Sequence, residues 1–197
     1  METELRLLDG SETKTAVLGG YAAVFGSLSA EIGPGGRRFR ERLMPGSFRA
    51  ALVSGEEVLA FYNHGVAGGF PGSAMPLGST RDGSLRLRED AHGLAFELDV
   101  PGTSQGQDLV VLARRGTVRG VSFAFARARD TWHREDGALI RTVHEIVGLR
   151  DVSPTHQPAY AETTLAVRSL GEWEAETEEA RSAQERRRRR LRLAELS

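Results

Sequence analysis

Serine and histidine have the strongest claim to chemistry in this sequence. The hexapeptide "GVSFAF", Gly120 to Phe125, has the composition of a buried strand, yet it carries a hydroxyl between Val121 and Phe123. Side chains alternate across a strand, so Val121, Phe123 and Phe125 share one face while Ser122, Ala124 and Ala126 share the other. The bulky residues seal a core, and Ser122 stands among small neighbours, open to a substrate and to a base as a nucleophile must be. The competing reading is a small strand residue bonded to backbone, a role serine fills readily.

A nucleophilic serine needs a base, most often histidine, because imidazole titrates near neutral pH. Five histidines are scattered singly along the chain. His92 falls in a hairpin turn, His133 in the polar stretch "DTWHREDG" and His156 in a proline-flanked loop. His64 differs: it ends the apolar run "VLAFYNH" and precedes Gly65, where a rigid element would present a side chain at a sheet edge. Taken alone, a turn or capping histidine accounts for it equally. His144 and Glu145 sit together on a later strand and point to opposite faces. Either could orient the base by accepting the far N–H of the imidazole, and ordinary cross-strand pairing is the alternative for both.

These residues need elements to position them. "AVLGGYAAVFG" (Ala16 to Gly26) and "EVLAFYNH" (Glu57 to His64) read as strands, with a further strand over Arg38 to Leu43. "GSFRAALVSG" reads as a short helix with Ser47 as N-cap and Gly55 just past its end. Leu85 and Leu87, then Leu94, Phe96, Leu98 and Val100, alternate at period two around a turn at Asp90 to Gly93, the clearest hairpin in the chain. The period then lengthens: Leu109, Leu112 and Ala113 share a helical face, Asp108 lies in the first turn and Gly116 suits the C-terminal cap. That helix delivers the chain into the strand of Ser122. Ala138 to Leu149 is one more strand, followed by a proline-bounded loop, "DVSPTHQPAY". Strands outnumber helices, which predicts a mainly β (α+β) fold: a single β-barrel-like sheet with two or three packed helices.

The whole chain bounds these readings. With 197 residues and 40% hydrophobic content it can bury one sizeable core. A boundary near Ser169 separates a domain over 1–169 from a charged tail over 170–197, expected as an exposed helix or a disordered segment. A formal charge of −1 gives no global field for nucleic acid or anionic membrane. The run Arg186 to Arg190 has glutamates close by to pair with, so nucleic acid is not the expected partner. No apolar run approaches membrane-spanning length. The absence of cysteine excludes a disulfide framework and a cysteine nucleophile. No two histidines have metal-ligand spacing, and no cofactor or metal is expected.

The order of pieces then becomes informative. "GYAAVFG", "ERLMPGSF", "FYNHG" with "PLGST" after it, a helix leading into "GVSFAF", and finally "EIVGLRDVSPTHQPAYAETT" resembles the prohead maturation proteases of tailed bacteriophages, over Gly20 to about Arg168. Those enzymes look distantly similar to the herpesvirus capsid-maturation protease, a β-barrel surrounded by helices. The resemblance implies a serine endopeptidase with His64 as base, Ser122 as nucleophile and Glu145 as third member, His144 being the alternative. It implies the major capsid protein and scaffold as substrates, self-cleavage, and a place inside the assembling prohead in the host cytoplasm. By analogy with the viral fold, Gly148 to Arg150 would supply oxyanion donors. A homo-oligomer is left open, and the reading of a different class is a non-catalytic capsid-assembly scaffold module whose charged tail recruits partners.

Overall fold

The computed structural model describes residues 4–8, 16–33, 38–65, 74–156 and 186. In chain order its elements are β1 (Glu4–Leu8), β2 (Val17–Val24), β3 (Arg40–Leu43), α1 (Arg49–Val53), β4 (Leu59–Ala60), a 3-10 turn at Asn63–Gly65, β5 (Gly78–Ser79), β6 (Leu85–Glu89), β7 (Gly93–Asp99), α2 (Ser104–Arg114), β8 (Gly120–Glu135) and β9 (Ala138–Thr155). The mainly β expectation holds. The strands divide between two sheets, however, and neither closes into a barrel among the described residues.

The first sheet runs in the order β1-β2-β7-β6 and is antiparallel throughout. Its β6–β7 hairpin follows the period-two pattern, with Leu85 opposite Leu98 and Leu87 opposite Phe96. The turn is fixed by Asp90 Oδ1, which accepts from the backbone of His92 and Gly93. Gly93 has no substitute at its position: a Cβ there would lie 1.9 Å from the carbonyl oxygen of Ala23. The second sheet has the order β3-β9-β4-β5, with β8 along the other side of β9. No ladder joins β5 of the second sheet to β6 at the edge of the first among the described residues. The turn between them is held by side chains instead, Ser84 Oγ accepting from Ser79 N at 2.9 Å and Asp82 Oδ1 from Ser84 N at 2.9 Å.

A single apolar cluster joins both sheets and both helices, including Leu18, Leu43, Phe48, Leu98, Leu109, Phe123, Ile146 and Val152. Phe48, just before α1, meets Phe123 edge-on at 5.3 Å between ring centroids. This contact anchors α1 beneath the strand of Ser122. The backbone N–H of Phe48 is satisfied by Glu89 Oε2 at 2.9 Å, and Phe48 rather than Ser47 occupies the N-cap position. α2 begins earlier than the periodicity indicates. Thr103 caps it by accepting from Gly106 N at 3.2 Å, which recruits Ser104 to Gln107 into the helix ahead of Asp108.

Two strands differ from the sequence reading in ways that bear on the site. The run Glu57 to His64 keeps only Leu59 and Ala60 as strand, because the chain turns sharply at Asn63 and His64. The run Ala138 to Leu149 continues instead to Thr155, so that "DVSPT" is strand and not loop. β8 and β9 form a long hairpin around Asp136 and Gly137, both with positive φ as a tight two-residue hairpin turn requires. The tail after 169 and its boundary lie outside the described residues, Arg186 excepted.

Candidate active site

Ser122 and His64 reach the same region from different elements. β8 carries Ser122 opposite Ser153 of β9, Ala124 opposite Asp151 and Gly120 opposite Thr155. Directly paired residues share a sheet face, so Ser122, Asp151, Ser153 and Thr155 stand together. Their alternates Val121, Phe123 and Val152 are buried in the core. The expected division of "GVSFAF" into a core face and a face of small residues is what the strand displays.

The position of His64 follows from β4. That short strand pairs in parallel with β9 at Leu59 and Asp151, so the chain leaving β4 passes directly over the polar face. It then tightens into the 3-10 turn, with φ of 51° at Asn63 and 57° at His64. Such left-handed backbone costs a non-glycine residue roughly 1–2 kcal/mol and persists only where the surroundings hold it. Two contacts do so. Thr155 Oγ1 donates to Asn63 Oδ1 at 2.7 Å, and the His64 ring meets Asp151 Oδ1 through Nδ1 at 2.7 Å.

The second contact fixes the chemistry of the ring. A carboxylate only accepts hydrogen bonds, so Nδ1 carries a proton, and in the tautomer protonated there Nε2 presents a lone pair. Nε2 is buried and has no hydrogen-bond partner among the described residues. His64 is 8% exposed and Ser122 2%. The arrangement is a buried imidazole, oriented from behind by a carboxylate, with its acceptor nitrogen unspent on the side of the sheet that carries a serine. Ser153 Oγ donates to the same Asp151 oxygen at 2.5 Å.

Neither sequence candidate for the third member touches His64. Glu145 lies opposite Arg129 and pairs with its Nη1 at 3.4 Å, and His144 is exposed with Nε2 2.8 Å from Thr131 Oγ1. Six residues separate Glu145 from Asp151 along β9, on the order of 20 Å at the usual rise per residue. The residue on Nδ1 is Asp151, which the sequence reading placed in a loop. A β-bulge explains why. Ala124 pairs with Asp151 but Phe125 with Leu149, leaving Arg150 as the extra residue. Strict alternation would put Asp151 on the side of Leu149, in the core; the bulge turns Arg150 to solvent and Asp151 to the polar face. Gly148, with φ of 75°, immediately precedes it, and Gly148 to Arg150 belongs to this bulged stretch of β9. The signal available in the sequence was Asp151, Ser153 and Thr155 at period two, masked by Pro154. Proline is tolerated there because, among the described residues, β9 has no strand beyond Asp151 on the side away from β8.

The remaining histidines play other parts. His92 packs against Tyr21 at 4.5 Å, His133 lies 3.3 Å from Glu135, and His156 is exposed. Among the described residues no group of His, Asp and Glu is arranged to hold a metal ion.

The sequence model of the caudovirus prohead serine protease family matches residues 1–181. A curated relative, the prohead protease of Enterobacteria phage HK97, is 28% identical over 170 residues, 84% of this chain. The chain spans 64% of the length of that relative. No solved structure matches it significantly.

Proposed function

The chain belongs to the caudovirus prohead serine protease family, and from that premise we propose that it is a serine endopeptidase of prohead maturation with Ser122 as nucleophile, His64 as base and Asp151 as the residue that orients the base. The observation that carries the reading is the His64 Nδ1 to Asp151 Oδ1 bond of 2.7 Å, with Nε2 buried and unpartnered. A histidine that served only to pack or cap would satisfy both nitrogens or expose one.

The steps follow from these atoms. Ser122 Oγ attacks the scissile carbonyl as His64 Nε2 takes its proton, and Asp151 stabilises the imidazolium that forms. Collapse of the tetrahedral intermediate returns that proton to the leaving amine and leaves an acyl-enzyme on Ser122. Water, deprotonated by the same nitrogen, then releases the new carboxylate. Asp151 replaces Glu145 and His144 in the role of third member, because it alone of the three reaches the ring.

The relative's name places it in the prohead. For this chain we take the substrates to be the major capsid protein and scaffold, with the chain itself cut as well. The test is co-expression with the neighbouring major capsid protein, wild type against Ser122→Ala, followed by intact mass of both polypeptides. Serine-dependent shortening of either is the expected result and reveals the cut site. Full-length masses in both, from particles that have assembled, would sink the peptidase reading and leave a non-catalytic assembly module.

A further inference from the structure

Two serines face one another across β8 and β9, and their surroundings assign them different work. Ser122 and Ser153 are register partners, both almost fully buried. Ser153 Oγ donates to Asp151 Oδ1 at 2.5 Å, so its proton is committed to a carboxylate and it has none to hand to an imidazole. The same oxygen receives His64 Nδ1 at 2.7 Å. Oδ1 is therefore held from two directions, by a donor on its own strand and by the ring it must orient. A carboxylate is free to swing about its terminal torsion, which is broad; a second donor on one oxygen removes that freedom. Charge-assisted hydrogen bonds of this kind are the strong ones.

We propose that Ser153 is a positioning residue of the peptidase site: by bonding Asp151 Oδ1 it fixes the carboxylate in the orientation that holds His64 in the tautomer required of a base. The inference rests on the peptidase reading above. It predicts that the hydroxyl at 153, not merely a small side chain, is required. Loss of one hydrogen bond to a charged group amounts to roughly a ten- to hundredfold reduction in the rate at which Ser122 is activated.

The experiment uses the full chain and needs no peptide substrate. A fluorophosphonate probe reports the labelling rate of the nucleophile, and the downfield imidazole N–H resonance of His64 reports the Asp151 bond. Ser153→Ala should label ten- to hundredfold more slowly than wild type with that resonance displaced, and Ser153→Thr should restore both. Labelling at the wild-type rate with the resonance unmoved would overturn the proposal while leaving Ser122 as nucleophile. If the probe does not label wild type, or labels Ser122→Ala equally, the peptidase reading fails and the resonance alone decides whether Ser153 orders the pair: displaced supports it, unmoved overturns it. Should Ser153→Ala not fold, Ser153→Cys keeps the shape with a weaker donor and carries the same comparison in a chain that has no other cysteine.

Discussion

The two ends of the β8–β9 hairpin bury polar groups in opposite ways. Toward the hairpin turn, Arg141 is 2% exposed, donates through Nη1 to Glu41 Oε2 at 2.9 Å and through Nε to Asp130 Oδ2 at 2.5 Å, and stacks its guanidinium over Phe125 and Trp132. Toward the open end, Asp151 meets the His64 ring, whose far nitrogen has no partner among the described residues. The first arrangement locks charge against charge, and a locked ion pair can exchange nothing with a substrate. The second leaves one acceptor unspent in a buried place, where a proton gained or lost matters most. Burial of polar groups alone therefore does not mark a site, and neither does an unpartnered atom, since Glu41 Oε1 in the first cluster also lacks a partner; what sets the open end apart is an unpartnered acceptor on a ring whose other nitrogen is held by a carboxylate.

The sharpest way to break this contrast is to move the acid. Asp151→Asn should cost on the order of 10^4-fold in turnover, since the amide holds the ring in the wrong tautomer, whereas Glu145→Gln should leave turnover nearly unchanged. The reverse result, in a peptidase assay on both variants, would return the third role to Glu145 and reduce Asp151 to packing. At the other end the expected effect is on stability. Arg141→Met removes the cation that Glu41 faces inside the core and should cost about 3–5 kcal/mol in urea unfolding. A loss below 1 kcal/mol would mean that the cluster is not the locked element described here.

The legibility of the sequence divides along the same line. Ser122 and His64 could be read because each lies in a local pattern, a hydroxyl among core residues and a histidine closing an apolar run. The β6–β7 hairpin was legible for the same reason. Asp151 was not, because its face is set by a one-residue bulge whose cause is three-dimensional: Arg150 cannot be buried opposite Phe125. The parallel pairing of β4 with β9 was equally invisible, since a two-residue strand has no period. Glu145 owed its candidacy to proximity in sequence to the expected position, and the same bulge makes such counting unsafe. The division into two sheets went unread because the turn at Ser79, Asp82 and Ser84 replaces a ladder with side-chain bonds.

The smallest expected effect belongs to the surface, where charge pairs are solvated at both ends. Arg86 donates through Nη1 and Nη2 to both oxygens of Asp99 at 2.8 Å and through Nε to Glu97 at 3.0 Å. These hydrogen bonds hold the Asp99 carboxyl below its usual range and raise the guanidinium further. A carboxyl depressed in the folded state adds stability above its unfolded pKa, roughly 3.9, and loses it as pH falls through the folded value. Arg86→Met should then lower stability by at most about 1 kcal/mol at neutral pH, given that both partners are well exposed. Its unfolding midpoint should converge on that of wild type in strong acid. A gap that persisted there would assign the loss to packing of the arginine stem.

The left-handed turn at Asn63 and His64 has a consequence for how the protein is made. Asn and His enter such backbone more readily than most non-glycine residues, yet it remains a minority conformation for them, and the contacts that hold them come from Asp151 and Thr155, separated in sequence by 87 and 92 residues respectively. The His64–Asp151 contact is thus completed by the last described strand to leave the ribosome, and a nascent chain arrested before Asp151 carries Ser122 and His64 without the carboxylate that holds the ring. Probe labelling of chains released at Gly148 and at Thr155 would time that step. On the peptidase reading proposed above, the chain is thereby inert for most of its own synthesis.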